Sequence, residues 1–438
     1  MGRESGCQKS QLRIMIISFS GTSGSGKSTV IAQILRSKIL DGKKVVVREE
    51  DSFLTIRLLK SLLGENIFSK YKDEKYFNSR FSDLFYKIFS TFCYVFYPVV
   101  VYAEFLVDYI HFQIISKDNF LLVDKFIYDH EVNFKNILGI DYGFVDWLFD
   151  HFPRPYMSFL IDIDLENAFV KRNKNSIPGK ITSNELFHKK VLNHYHKIAK
   201  KHNLLIIDNN RKLEDAIKQV NKYILDKDKL LKTKKIAICG LDGAGKTTVA
   251  NLLSKYANSL GVDNRIVHFV HNNLLYRLLL LAGYYKRDEP KNLSYKRSRA
   301  HSVRERVTKT SFIKAFFRFF DSYVQYLFFI VLNRNRLIIF DRYFYDYLVS
   351  FKYLNIKGRV FFARFVPEVE NKFFFDSSPV ISYKRKPERI KAFFVDCYKI
   401  YLEVAGEWNI KTIKTEDRKP KDILEELLDR INYKKNEL

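Results

Sequence analysis

The 438-residue chain is short of cysteine, of acidic charge and of long apolar runs. Its four cysteines, Cys7, Cys93, Cys239 and Cys397, are far apart and form no CxxC pair. That excludes a disulfide scaffold and a zinc ribbon, and makes a reducing, cytoplasmic compartment the expectation. The segment Met1–Gln11 is polar and lacks an apolar signal core. The longest apolar run, Phe92–Ala103, is interrupted by Pro98 and closed by Glu104. It is shorter than the roughly 18 residues of a spanning helix. A soluble protein, at most peripheral to a membrane, is expected. The ten histidines show no HExxH or other metal spacing. His194 and His196 are two apart and face different sides of a helix. The histidines read as structural or solvated, and no Ser-His-Asp arrangement can be argued.

What is abundant is positive charge and aromatic surface. Lys plus Arg number 75 against 49 Asp plus Glu, a net charge of +26. Such an excess points to partners that carry phosphate or other anions: nucleotides, nucleic acid, an anionic lipid surface or a charged glycan. The apolar fraction of 47% is ample for packed cores, and the length suits two or three domains. The 39 Phe and 27 Tyr are numerous enough to cover more than a core.

An internal repeat organises the chain. IMIISFSGTSGSGKSTVIAQIL around Gly21 returns as KIAICGLDGAGKTTVANLL around Gly240, and FLLVDKFIYD around Asp124 returns as LIIFDRYFYD around Asp341. The first pair is offset by 219 residues and the second by 217, so two tandem copies are expected, residues 1–228 and 229–438. The charged stretch Lys222–Lys234 is the expected connection. Residues 231–438 hold 40 Lys and Arg against 22 Asp and Glu, so the second copy carries most of the excess, +18. Short apolar runs separated by helical text predict strands near Arg13–Phe19, Lys44–Arg48, Phe120–Asp124, Met157–Asp162 and Leu204–Asp208. The second set is Lys235–Cys239, Arg265–Val270, Leu337–Asp341, Lys372–Asp376 and Lys411–Lys414. The fold class is therefore α/β: two tandem domains, each a parallel sheet with helices on both faces.

Each copy contains GxxxxGK[ST] between a strand and a helix. Gly21, Gly24 and Gly26 precede Lys27, Ser28 and Thr29; Gly240, Gly243 and Gly245 precede Lys246, Thr247 and Thr248. The glycines let backbone N–H groups converge on a phosphate at a helix N-terminus. The lysine reaches the β/γ-phosphates, and Ser28 or Thr247 is a Mg²⁺ ligand. Asp124 and Asp341 end apolar strands, where a carboxylate for the same Mg²⁺ belongs. Arg342 follows Asp341, whereas Lys125 follows Asp124. A guanidinium grips a phosphoryl group bidentately and an ammonium acts as a point charge, so the copies are expected to differ in competence or acceptor. After the fourth strand come basic clusters suited to a lid: Lys171, Arg172 and Lys174, then Lys384, Arg385, Lys386 and Arg389.

GLDGAGKTT, DRYFYD and FFFDSSPVISYKRKPE, followed by a segment with Tyr398 and Tyr401, resemble the thymidylate kinase family. The resemblance covers nearly all of the second copy and the first more weakly. More closely, it resembles thymidylate-kinase-like proteins often found with surface-glycan biosynthesis. It implies the nucleoside monophosphate kinase fold, five parallel strands with a lid, and use of ATP and Mg²⁺. It gives Lys246 and Thr247 the phosphate and Mg²⁺ roles, and gives Asp341 and Arg342 the Asp-Arg pair beside the transferred phosphoryl group. Asp242 takes the position of the loop acid that contacts the acceptor sugar; Ser23 stands there in the first copy. Ala244 replaces the loop arginine, so Arg385 of the lid becomes a candidate for catalytic charge. The family's Arg-Glu-Pro-Gly motif is missing; the chain has Arg48-Glu49-Glu50-Asp51 and His268-Phe269-Val270-His271.

Phe81–Ile115 and Ser311–Leu332 are aromatic, apolar stretches that read as core helices, with a wide acceptor pocket or a lipid-facing surface as the other reading. Lys286–Arg318 holds eleven Lys or Arg and three acids, which suits an acidic partner or polyanionic acceptor. No nucleic-acid module accompanies it, so nucleic acid is not the expected partner. The expected activity is transfer of the ATP γ-phosphoryl group to a nucleoside monophosphate or related acceptor. A kinase of a glycan or lipid-linked intermediate is one alternative. A nucleotide-regulated scaffold with a degenerate first domain is the other. The repeat also raises an internal pseudo-dimer or a homodimer.

Overall fold

The computed structural model describes residues 15–37, 45–48, 98–107, 110, 120–136, 143–164, 185–268, 310–356, 359–387 and 389–431. The chain divides into two compact units, Met1–Leu225 and Asp226–Leu438. The first runs β1 (Met15–Ser20), α1 (Lys27–Arg36), β2 (Val45–Arg48), α2 (Pro98–Val107), β3 (Phe120–Asp124), α3 (Ile127–Asn136), α4 (Gly143–Asp150), β4 (Met157–Asp162), α5 (Glu185–His202) and β5 (Leu205–Asp208) into α6 (Leu213–Lys232). Its sheet is parallel, in the order β2-β3-β1-β4-β5.

The second unit follows the same plan. It runs β6 (Lys235–Gly240), α7 (Lys246–Ser259), β7 (Asn264–His268), α8 (Thr310–Leu332), β8 (Leu337–Asp341), α9 (Phe344–Tyr353), α10 (Arg359–Ala363), β9 (Asn371–Asp376), α11 (Pro379–Arg385), α12 (Lys391–Glu407), β10 (Lys411–Lys414) and α13 (Pro420–Arg430). The order β7-β8-β6-β9-β10 matches the first sheet strand for strand, and every pair is parallel.

The burial of each strand explains its text. Every residue of β3 and β8 is buried, so both read as continuous apolar runs ending in an Asp. The edge strands β2, β5 and β10 expose alternate or successive residues and are short and mixed. Aromatic rings fill the space beneath the sheets: Phe19 stacks on Phe159 at 5.4 Å, and Phe340 packs on Tyr343 at 5.1 Å.

Three expectations need correction. Strand ends move by a residue or two, as at β6, which runs to Gly240 rather than Cys239; positions 269 and 270, expected in β7, lie outside the described residues. The charged stretch Lys222–Lys234 is mostly helix, because α6 carries its buried face through Ala216, Val220, Ile224 and Leu230. The stretch Ser311–Leu332 is helical, yet only part of it is core: Phe316, Phe317, Phe320, Val324, Leu327 and Phe328 are exposed on α8. Of Phe81–Ile115, only residues 98–107 and 110 are described; there Val101 and Phe105 are buried and Val107 is exposed. Cys239 and Cys397 are buried free thiols, and Cys7 and Cys93 lie outside the described residues.

In the first unit a buried carboxylate ties three helices together. Glu131 on α3 is 2% exposed and lies 3.6 Å from Lys201 and from His202 on α5, and 3.9 Å from Lys135. Lys135 and Lys201 also reach Asp146 and Asp150 of α4, at 2.5 and 2.7 Å. Burial alone would raise the Glu131 carboxyl, but His202, Lys201 and Lys135 outweigh it and hold the group below the usual carboxylate range. A depressed carboxylate stabilises the fold above its unfolded pKa, and that stability drains away as pH falls through the lower folded value. Glu131→Gln should destabilise the first unit by about 3 kcal/mol at neutral pH, since Lys135 and Lys201 lose their buried partner. Urea unfolding of the full chain at pH 7 and at pH 3.5 checks this: the gap between variant and wild type should narrow in acid.

Candidate active site

Both loops take the same backbone path. Gly21, Gly24 and Gly26 have φ of 147°, 89° and 90°; Gly240, Gly243 and Gly245 have 143°, 87° and 89°. The first glycine is fixed by contact with the neighbouring strand: a Cβ on Gly21 would meet the Ile161 carbonyl oxygen at 2.5 Å, and one on Gly240 the Phe375 oxygen at 2.7 Å. A Cβ on Gly243 would stand 2.5 Å from the Ser382 carbonyl oxygen at the start of the lid. The chain then enters α1 or α7, with Thr29 and Thr248 exposed in the first turn.

The P-loop lysines are buried. Lys27 Nζ donates to the carbonyl oxygens of Gly21 and Thr22 at 2.7 and 3.1 Å. Lys246 Nζ donates to those of Gly240 and Leu241 at 2.7 and 2.6 Å. Burial pushes the Lys246 ammonium below the usual lysine range, while Asp346 and Asp341 pull it back.

The strand-end carboxylates meet the loop hydroxyls. Ser28 Oγ donates to Asp124 Oδ2 at 2.8 Å, and Thr247 Oγ1 to Asp341 Oδ2 at 2.5 Å. In each case the other oxygen, Oδ1, is buried and lacks a partner within the protein. A hydroxyl beside a bare carboxylate oxygen is a hard-oxygen donor set, and these residues fit Mg²⁺. The residue after each Asp adopts left-handed backbone, φ 64° at Lys125 and 76° at Arg342, a region that non-glycine residues seldom occupy. There the units diverge. Arg342 Nη2 pairs with Asp242 Oδ1 of the loop. In the first unit the corresponding residues are Lys125 and Ser23.

In the second unit a cleft of about 470 Å³ opens over the loop. Residues Asp242–Val249 line it, with Arg342, Arg385 and Lys386 on one part and Thr415, Arg418, Pro420 and Ile423 on another. Arg385 Nη1 donates to the Gly243 oxygen at 3.4 Å. Of the remaining lid cations, Lys384 is exposed and Arg389 lies over the Phe393 ring at 5.1 Å. Lys171, Arg172 and Lys174 lie outside the described residues.

The structure adds two groups of side chains beside the loops. His268, read as structural or solvated, ends β7 with Nδ1 3.0 Å from Asp341 Oδ2. The second group is a buried Asp–Tyr pair found in both units. Tyr195 donates to Asp129 at 2.8 Å and Tyr401 to Asp346 at 2.7 Å. Asp129 also accepts the Gly21 N–H at 3.2 Å, which pins the start of the first loop. Asp346 accepts the Tyr343 N–H at 2.8 Å and caps α9. Burial raises Asp129, opposed by Lys27, and burial with the Asp346 charge lifts Tyr401 far above the ordinary phenol.

The thymidylate kinase family matches the chain over residues 103–220. The probable thymidylate kinase of Sulfolobus acidocaldarius is 28% identical over 213 residues, which is 47% of this chain and 92% of the relative. Probable thymidylate kinase 1 of Saccharolobus solfataricus is 29% identical over 137 residues, 29% of this chain and 70% of the relative. These matches support a thymidylate kinase-like P-loop family for the chain. The family match falls in the first unit, from within α2 into α6, although the second copy carried the closer resemblance by its motifs. The chain also aligns with the thymidylate kinase of Ehrlichia chaffeensis, at 21% identity over 48% of this chain and 99% of that one, with a TM-score of 0.33.

Gly243→Ala of this thymidylate kinase-like chain should weaken nucleotide binding at the second loop by about tenfold, because left-handed backbone costs a side chain about 1–2 kcal/mol before the clash with Ser382 is counted. Titration of the full chain with ADP, followed by its melting temperature, should show one of two sites weakened. Unchanged binding would refute the geometric reading of that loop.

Proposed function

We propose that the chain is an ATP-dependent phosphotransferase that moves the γ-phosphoryl group of ATP onto a nucleoside monophosphate or a related acceptor, and that the second unit is its main active centre. One observation carries the assignment: Lys246, Arg342, Arg385 and Lys386 converge on a single cleft above the second loop. Phosphoryl transfer needs little covalent help from a protein. It needs the reactants held in line and the charge on the equatorial oxygens balanced.

The residues divide that work. Loop N–H groups at the head of α7 cradle the β-phosphate. Lys246, now tied to two loop carbonyls, supplies the ammonium for the β/γ oxygens. Thr247 and Asp341 would hold Mg²⁺, as Ser28 and Asp124 would in the first unit; when bound, the ion neutralises charge on the phosphate oxygens. Arg385 and Lys386, at the end of α11, cover the cleft from the lid side. Arg342 and Asp242 form the acceptor side, where a carboxylate suits a sugar hydroxyl and a guanidinium suits a phosphate. The first unit keeps the phosphate cradle but has Lys125 and Ser23 in those places, so it is proposed to bind nucleotide and to turn over more slowly.

Lys246→Ala should lower ATP turnover by about 10²-fold, the usual loss when one electrostatic contact to the transition state is removed. Lys27→Ala should have the smaller effect, under about tenfold. The measurement is ATP consumption against a panel of nucleoside monophosphates and phosphorylated glycans. Full activity in Lys246→Ala would sink the assignment to the second unit. Turnover with glycans alone would replace the nucleotide acceptor by a glycan one.

A further inference from the structure

Helix α8 is apolar on two sides, and its own unit uses one of them. Ala315, Phe319, Ser322 and Tyr326, spaced by four, three and four residues, are buried. Phe319 packs on Phe344 of α9 at 5.1 Å and on Phe362 of α10 at 5.3 Å, and Ser322 shares a hydrogen bond with the Tyr347 hydroxyl at 2.7 Å. That face fastens the helix to its sheet. The other face carries Phe316, Phe320, Val324, Leu327, Phe328 and Val331, all between 37% and 61% exposed. Phe316 and Phe320 stack on each other there, 6.0 Å apart and within 9° of parallel. Val360, Phe361 and Phe365 continue the patch at α10, which Phe312 joins through Phe362 at 5.4 Å.

The exposed charge on α8 and just beyond the ends of α8 and α10 is positive. On α8 the sole carboxylate, Asp321, is buried, whereas Arg318 is exposed. Arg334 and Arg364 are exposed just beyond the ends of α8 and α10. The sequence leading into the helix, Lys286–Arg318, has eleven Lys or Arg against three acids, and the whole second copy stands at +18. By length and composition Ala315–Leu332 is apolar enough to cross a bilayer. Its buried face argues for a different orientation, since spanning would tear Phe319 and Tyr326 out of the core.

We propose that α8 and α10 lie in the plane of a membrane, with the bare face seated in an anionic lipid surface. Aromatic and aliphatic side chains enter the headgroup–acyl boundary, and the flanking arginines meet lipid phosphate. A second copy of the chain is the poorer occupant: it would bring two strongly positive units face to face, whereas anionic lipid relieves that charge. The surface is independent of the catalytic reading and stands or falls alone.

The test is co-sedimentation of the full chain with vesicles of phosphatidylcholine alone, and of phosphatidylcholine mixed with phosphatidylglycerol, at low and high salt. Binding to the anionic vesicles should exceed binding to the neutral ones by at least about tenfold and should fall with salt. Phe320→Glu combined with Phe328→Glu should abolish pelleting without lowering the melting temperature, since both side chains are exposed; Leu327→Glu serves as the second variant if that pair fails to fold. Equal binding to neutral vesicles, or undiminished binding by the folded variants, overturns the proposal. So does a wild-type dimer, seen by sedimentation equilibrium, that these substitutions dissociate while vesicles retain neither protein.

Discussion

The pairing of β6 with β8 aligns Ile238 with Asp341, and the Arg342 N–H bonds back to the Ile238 oxygen at 3.0 Å. Two residues beyond Ile238 the chain turns at Gly240, against the Phe375 oxygen of β9. The loop therefore springs from a strand gripped on both sides, and the carboxylate and hydroxyl are brought together by ladder geometry rather than by side-chain reach. The first unit repeats this with Phe19 opposite Asp124 and Gly21 against Ile161. Rigid, buried strands are what allow polar groups to be set within fractions of an ångström of a working position.

Upon that shared frame the two units have kept one half of a site and altered the other. The phosphate half is nearly superimposable in its φ angles, in the lysine contacts and in the hydroxyl–carboxylate bond. The facing half is an Asp–Arg pair in the second unit and Ser with Lys in the first. Change is cheap there because those side chains sit at the mouth of the cleft, partly exposed, where substitution disturbs little packing. The cradle, by contrast, is bounded by backbone carbonyls that leave no room for a Cβ at Gly21, Gly240 or Gly243.

Much of this could be read from the text of the chain. The two loops, the two strand-end aspartates and the ten strands follow from local pattern, because a fully buried parallel strand and a phosphate loop each impose residue types at consecutive positions. His268 could not be read this way: its partner, Asp341, is set by the register of β7 on β8, which periodicity does not reveal. The same holds for Tyr195 with Asp129 and Tyr401 with Asp346, where the partners are separated by dozens of residues. A shared offset between copies is the available signal, since Asp129 and Asp346 end the repeated segments FLLVDKFIYD and LIIFDRYFYD. The α8 face failed for a different reason. Apolar text at helical spacing says that a helix has apolar sides, not how many of them its own fold will cover. Lys222–Lys234 misled in the opposite sense, because its charges lie on the wet side of α6 while Ile224 and Leu230 continue the buried one.

Lys125 and Arg342 occupy backbone that a side chain enters only at a cost, and they do so at the point where each site turns from strand to helix. Glycine or asparagine would sit there more comfortably. A laboratory selection for heat resistance alone would therefore be drawn to these two codons, and at position 342 the more durable protein would have given up the guanidinium that faces the cleft.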